Sequence, residues 1–89
     1  TNQSVVIATG NTFQTIATAA GRRSLTIQNN NASDSCWIVI GGALGSATKG
    51  IAILLGSGAS YTRYYPLTPS DAIHGTCATS SDTIYIDIQ

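Results

Sequence analysis

The chain has no methionine, and its 89 residues include one tryptophan, one phenylalanine, one histidine and two prolines. Glutamate is absent, and Lys49 is the single lysine. Charged residues make up 9%, against about 25% in ordinary soluble domains. Four basic residues (Arg22, Arg23, Lys49, Arg63) balance four acidic ones (Asp34, Asp71, Asp82, Asp87), so the formal net charge is zero. A neutral chain offers no electrostatic footprint for DNA or RNA and no polybasic patch for anionic lipid. The longest apolar run, residues 51–55, is far too short to span a bilayer. The opening Thr-Asn-Gln-Ser lacks the basic n-region of a secretory leader and reads as a trimmed or matured terminus.

The residues that carry chemistry are equally sparse. Dispersed aspartates leave little for an acid–base pair or a calcium cage. Gly41-Gly42-Ala43-Leu44-Gly45 is not followed by Gly-Lys-Ser/Thr, and Lys49-Gly50 runs in the wrong order for a phosphate loop. No Gly-x-Ser-x-Gly elbow occurs. Two cysteines and one histidine cannot complete a structural zinc site. His74 stands alone and reads as a strand histidine on the wet face. The expectation is a protein with no enzymatic activity, no cofactor and no metal.

What is present is β pattern. Leu25 and Ile27 alternate with Thr26 and Gln28, the mark of a strand with one wet face. Residues 29–35 are Asn, Ala, Ser and Asp, mostly types that bend a chain by bonding their own backbone. Residues 36–40 are apolar throughout and read as a strand buried on both faces. These two runs read as a hairpin and as the folding centre. Further strand signals fall at 4–8, 13–17, 51–55, 59–65, 72–78 and 83–88, separated by Gly, Ser, Asn or Pro turns. In the last, Ile84, Ile86 and Ile88 take one face, and Tyr85 and Asp87 the other. The Gly-rich stretch 41–50 reads as the most flexible. Residues 1–89 therefore predict one all-β domain, a small β-sandwich of seven to eight short antiparallel strands, jelly-roll-like or Ig-like, with residues 1–4 as an extended N-terminal arm.

Cys36 and Cys77 lie on predicted strands. Facing each other across the sheets, they form a disulfide worth about 4 kcal/mol in the chain-entropy picture; apart, they are buried thiols packing like small hydrophobes. Trp37 reads as a half-buried sandwich residue. Few charges at zero net charge suit a free monomer poorly, and only one lysine is on hand to blunt strand edges. Composition therefore points to self-assembly, with a homo-oligomer, a trimer first, as the expected partner state. Arg22, Arg23, Tyr61, Arg63, Tyr64, Tyr65 and Pro66 are the candidate interface residues, since Arg and Tyr favour interfaces and Pro66 begins a stiff loop.

Three stretches resemble short structural proteins of tailed bacteriophages and prophages. They are Arg-Arg-Ser-Leu-Thr-Ile-Gln-Asn-Asn at 22–30, Ile-Leu-Leu-Gly-Ser-Gly-Ala-Ser-Tyr at 53–61, and Asp-Ala-Ile-His-Gly-Thr-Cys at 71–77 with Thr-Ile-Tyr-Ile-Asp-Ile at 83–88. The resemblance implies a virion component made in the host cytoplasm. It would be a capsid decoration protein, or a head-fibre or tail module, whose partners are major capsid or other virion proteins. Two other readings stay open: a module binding host carbohydrate through exposed aromatics, and a self-assembling extracellular filament subunit.

Overall fold

The computed structural model describes residues 2–18, 24–64 and 72–89. Eight strands follow in order: β1 (Asn2–Val6), β2 (Gln14–Ala17), β3 (Ser24–Gln28), β4 (Cys36–Ile40), β5 (Ile53–Leu55), β6 (Ser60–Tyr64), β7 (Ile73–Cys77) and β8 (Thr83–Ile88). One short 3-10 turn, Leu44–Ser46, is the helical element among the described residues. The strands form two four-stranded sheets, β1-β8-β3-β6 and β2-β7-β4-β5, with every pairing antiparallel. The chain changes sheet at almost every connection, and only β4 and β5 pair with a neighbour in sequence. That order is a jelly roll, one of the two sandwich types the sequence predicts.

Period-2 alternation builds the core. Leu25, Ile27, Ile84 and Ile86 point inward from one sheet, and Ile16, Cys36, Ile38, Leu55, Ile73 and Cys77 from the other; all are buried. Their burial drives the two faces together, each large aliphatic side chain contributing roughly 1.5–3 kcal/mol. Gly75 sits where side chains of both sheets pack tightly. A Cβ there would lie 3.1 Å from the Ile16 side chain and 3.2 Å from those of Ile38 and Ile84, the last from the opposite sheet.

Several expectations are corrected. The runs at 24–28 and 36–40 are strands, but they are not a hairpin: β3 and β4 lie in different sheets. A seven-residue connection spans the sandwich as readily as it closes a hairpin, and both runs bury an inward face either way. The buried strand expected over 51–55 shrinks to Ile53–Leu55, with Ile51 67% and Leu54 60% exposed. β5 is an edge strand, and Leu54, which alternates with the buried Leu55, takes the outer face opposite Trp37. Residues 2–4, expected in an extended N-terminal arm over 1–4, pair with β8 as part of β1. The Gly-rich stretch is tied down, since Gly41 N–H donates to the Ala72 carbonyl at 2.7 Å.

Candidate functional site

Three regions bring polar or reactive side chains together. The first is a buried centre at the β3–β4 connection. Asn29 is fully buried. Its Nδ2 donates to the Asp34 carbonyl at 2.8 Å and the Leu55 carbonyl at 2.9 Å. Its Oδ1 accepts from the Asn31 backbone N–H at 3.0 Å and from Asn31 Nδ2 at 2.6 Å. Asn31 reaches on to β8, with Nδ2 donating to the Thr83 carbonyl at 3.0 Å and Oδ1 accepting from the Thr83 N–H at 3.1 Å. This satisfies buried backbone groups from three segments of the chain, as buried polar groups require. The sequence marks these asparagines only as a turn.

Cys36 lies beside the same centre. Cys36 and Cys77 are register partners on β4 and β7, with Cα atoms 3.9 Å apart, and are joined by a disulfide. The bridge therefore links neighbouring strands of one sheet rather than the two sheets, because both side chains point inward from the same layer. Both sulfurs are inaccessible.

The second region is the outer face of the β2-β7-β4-β5 sheet. His74 and Thr76 point away from the core, yet they are 3% and 0% exposed. The wet-face expectation for His74 is corrected here. Nε2 meets the Gly42 carbonyl at 2.9 Å and Nδ1 meets Thr15 Oγ1 at 3.1 Å. The Gly42 carbonyl can only accept, so Nε2 carries a proton and donates to it, while Thr15 Oγ1 pairs with Nδ1. Residues 41–52 fold back over this face as a strap. Lys49 Nζ sits 3.9 Å from the Trp37 ring centroid, a cation–π contact, and donates to Asn11 Oδ1 at 2.6 Å. The arrangement holds a loop in place and leaves the imidazole without access to a substrate.

The third region is the outer face of the other sheet. No strap crosses it among the described residues. Ser4, Tyr85 and Gln28 stand opposite one another across β1, β8 and β3, and Asp87 stands opposite Thr26 in the next row. They line an open groove of about 460 Å³ with Asn30 at one end. Tyr85 is 45% exposed.

The remaining sequence candidates scatter. Tyr61 is half-buried and packs against the core from β6. Arg63 lies exposed on the same strand, which is a sheet edge. The backbone of Tyr64 ends β6. Arg22, Arg23, Tyr65 and Pro66 lie outside the described residues. Asp34 and Asp82 come together by a side-chain hydrogen bond. Partial burial pushes the Asp82 carboxyl above its ordinary 3.8, and the hydrogen bond and charge of Asp34 add to this, against a donation from the Thr79 N–H. Among the described residues, no group of three or more His, Cys, Asp or Glu side chains is placed to hold a metal ion.

No protein-family model and no curated protein sequence matches the chain. Solved structures do. A de novo designed double-stranded β-helix aligns with a TM-score of 0.60 at 12% identity, covering 100% of this chain and 99% of that one. A protein of Bacillus endospore appendages, described as a family of disulfide-linked pili, aligns with a TM-score of 0.52 at 14% identity over 97% of this chain and 84% of its own. PliG of Aeromonas hydrophila, a periplasmic inhibitor of g-type lysozyme, aligns with a TM-score of 0.47 at 14% identity over 100% and 83%. The first two likenesses show the fold: a small all-β domain of two sheets in double-stranded β-helix form. The phage resemblance of the sequence has no counterpart among them.

Proposed function

We propose that the chain is a non-enzymatic structural subunit of a protein assembly, in the first reading a decoration protein of a bacteriophage capsid. One observation carries this. β1 and β5 are edge strands with no charge, no proline and no register break, and Val6, Ile51 and Leu54 are exposed on or beside them. Soluble monomers blunt such edges with charge, proline or bulges. Here the edges and their apolar neighbours suit coverage by other chains. Weak contacts repeated at symmetric sites would bind a lattice by avidity. A homo-oligomer, with a trimer first, and a virion location belong to this reading. The second reading, a self-assembling filament subunit, is favoured by the same bare edges, and the fold likeness to a pilus protein supports it.

Native mass by light scattering over a range of concentration, with electron microscopy of the pure protein and a binding assay on undecorated capsids, tests both readings. A small stable oligomer that saturates capsids supports decoration. Filaments formed by the protein alone support the second reading. A monomer at every concentration that binds no capsid refutes the proposal.

A further inference from the structure

We propose that the groove on the outer face of β1, β8 and β3 is a binding site for a neutral saccharide. Its volume of about 460 Å³ falls in the range of small-molecule sites, about 300–1,000 Å³. The polar groups that line it come in the right kinds. Gln28 and Asn30 carry amides, and Ser4 and Thr26 carry hydroxyls. Each offers both a donor and an acceptor, as sugar hydroxyls do. Asp87 adds an acceptor for hydroxyl protons, and Gln89 Nε2 already donates to its Oδ1 at 2.9 Å, which holds the carboxylate in place. Among the described residues, no lysine or arginine lines the groove. That composition disfavours phosphates, nucleic acids and acidic sugars, which need cations, and leaves a neutral ligand.

Tyr85 supplies the apolar half of the recognition. It projects from the central strand of the groove with nearly half its surface exposed. An aromatic ring with a polar tip, standing among amides, matches a sugar ring with one C–H face and a hydroxyl rim. A peptide strand would instead seek free backbone groups at a sheet edge. The groove lies over strands whose backbones already pair: β8 with both β1 and β3, and β3 also with β6. The contrast between the two sheets points the same way, because the strap closes the outer face of the other sheet while no described residue crosses this one. The site shares β1 with the edge proposed above for assembly, but it uses side chains of the outer face and not the backbone of that edge.

The test is an array of neutral glycans, followed by NMR titration of the labelled protein with each hit. The expected result is saturable binding with shifts confined to Ser4, Thr26, Gln28, Tyr85 and Asp87. Tyr85→Ala should weaken binding roughly tenfold and Gln28→Ala roughly threefold to tenfold. Both side chains lie outside the core, and an unchanged thermal midpoint checks that each variant is folded. Three results overturn the site: no neutral glycan binds, binding survives both substitutions unchanged, or the shifts fall elsewhere on the protein. Shifts at these residues that depend on protein concentration and not on glycan would make the face a protein contact, which also overturns the proposal.

Discussion

Asn29→Ala tests whether the buried asparagine centre holds the two sheets in register. In the folded protein the substitution leaves the Leu55 carbonyl, which is buried, and the Asp34 carbonyl, which is partly buried, without the amide donor. It also strips the Asn31 N–H of its acceptor. A buried polar group without a partner costs about 1–3 kcal/mol. Counting about 2 for the Leu55 carbonyl and about 1 or less for each of the other two gives a loss of about 2–4 kcal/mol. A chain of this length is stable by only about 4–13 kcal/mol, so the variant should lose a large fraction of its stability. Replacing the side chain cannot be compensated by collapse, because the orphaned groups are backbone.

Asn29→Asp sharpens the test. A carboxylate oxygen would stand where Nδ2 now donates, facing two carbonyl oxygens, so the ionised form is disfavoured and the aspartate's pKa is raised in the folded state. Stability would then be greatest below the unfolded aspartate value and would fall as pH rises through the folded one. Urea unfolding followed by Trp37 fluorescence, with the disulfide oxidised, reads both effects. The midpoint should drop at unchanged slope for Asn29→Ala, and the drop for Asn29→Asp should deepen from acid to neutral pH. A loss under about 1 kcal/mol for Asn29→Ala, or no pH dependence for Asn29→Asp, would falsify the assignment of this centre as a structural hub.

Three further outcomes follow from the core and the loops. Replacing both Cys36 and Cys77 by alanine should lower stability by about 4 kcal/mol for a 41-residue separation, a thermal midpoint drop of roughly 15–30 °C; calorimetry showing an unchanged midpoint would remove the bridge from the stability of the fold. Gly75→Ala places a Cβ against three isoleucine side chains from both sheets and should cost about 1–3 kcal/mol by overpacking, measured by urea unfolding; a neutral effect means that the three isoleucine Cδ1 atoms give way without strain. Asp82→Asn removes a carboxyl raised by partial burial and by Asp34. Because the raised group favours the fold fully below 3.8 and loses that contribution as pH rises through its folded value, the wild type should lose stability relative to the variant between acid and neutral pH; parallel pH–stability curves would show that Asp82 is not perturbed.

The alternation of single strands was legible, and the partners of those strands were not. β4 and β8 begin and end where the pattern of Cys36–Ile40 and Thr83–Ile88 predicts. β1 starts two residues earlier than its apolar run, because Asn2 and Gln3 pair on an edge where little burial is demanded. Period 2 assigns faces and says nothing about which strand lies alongside, so β3 and β4 read as a hairpin although they lie in different sheets. His74 shows the same limit. Its outward parity was correct, and its wetness was not, because the strap that covers it comes from residues 41–52, a segment remote in sequence. The asparagine tract was read as a turn, which it is, but Thr83 lies 52 positions away from Asn31, and no local pattern marks that bond.

The groove follows the same logic in reverse. Tyr85 and Asp87 were legible as the wet side of β8, while the residues beside them became visible only once β1 and β3 were placed on either flank. Neither flanking strand neighbours β8 in sequence, so the groove is a product of jelly-roll topology. That topology also explains why the two outer faces differ. The connection from β4 to β5 is the one link between paired sequence neighbours, and at twelve residues it is far longer than a hairpin needs. The excess length lies back over its own sheet as the strap, anchored by Lys49 on Trp37 and by Gly42 on His74. The opposite sheet contains no hairpin between sequence neighbours, and among the described residues no such segment lies over its outer face.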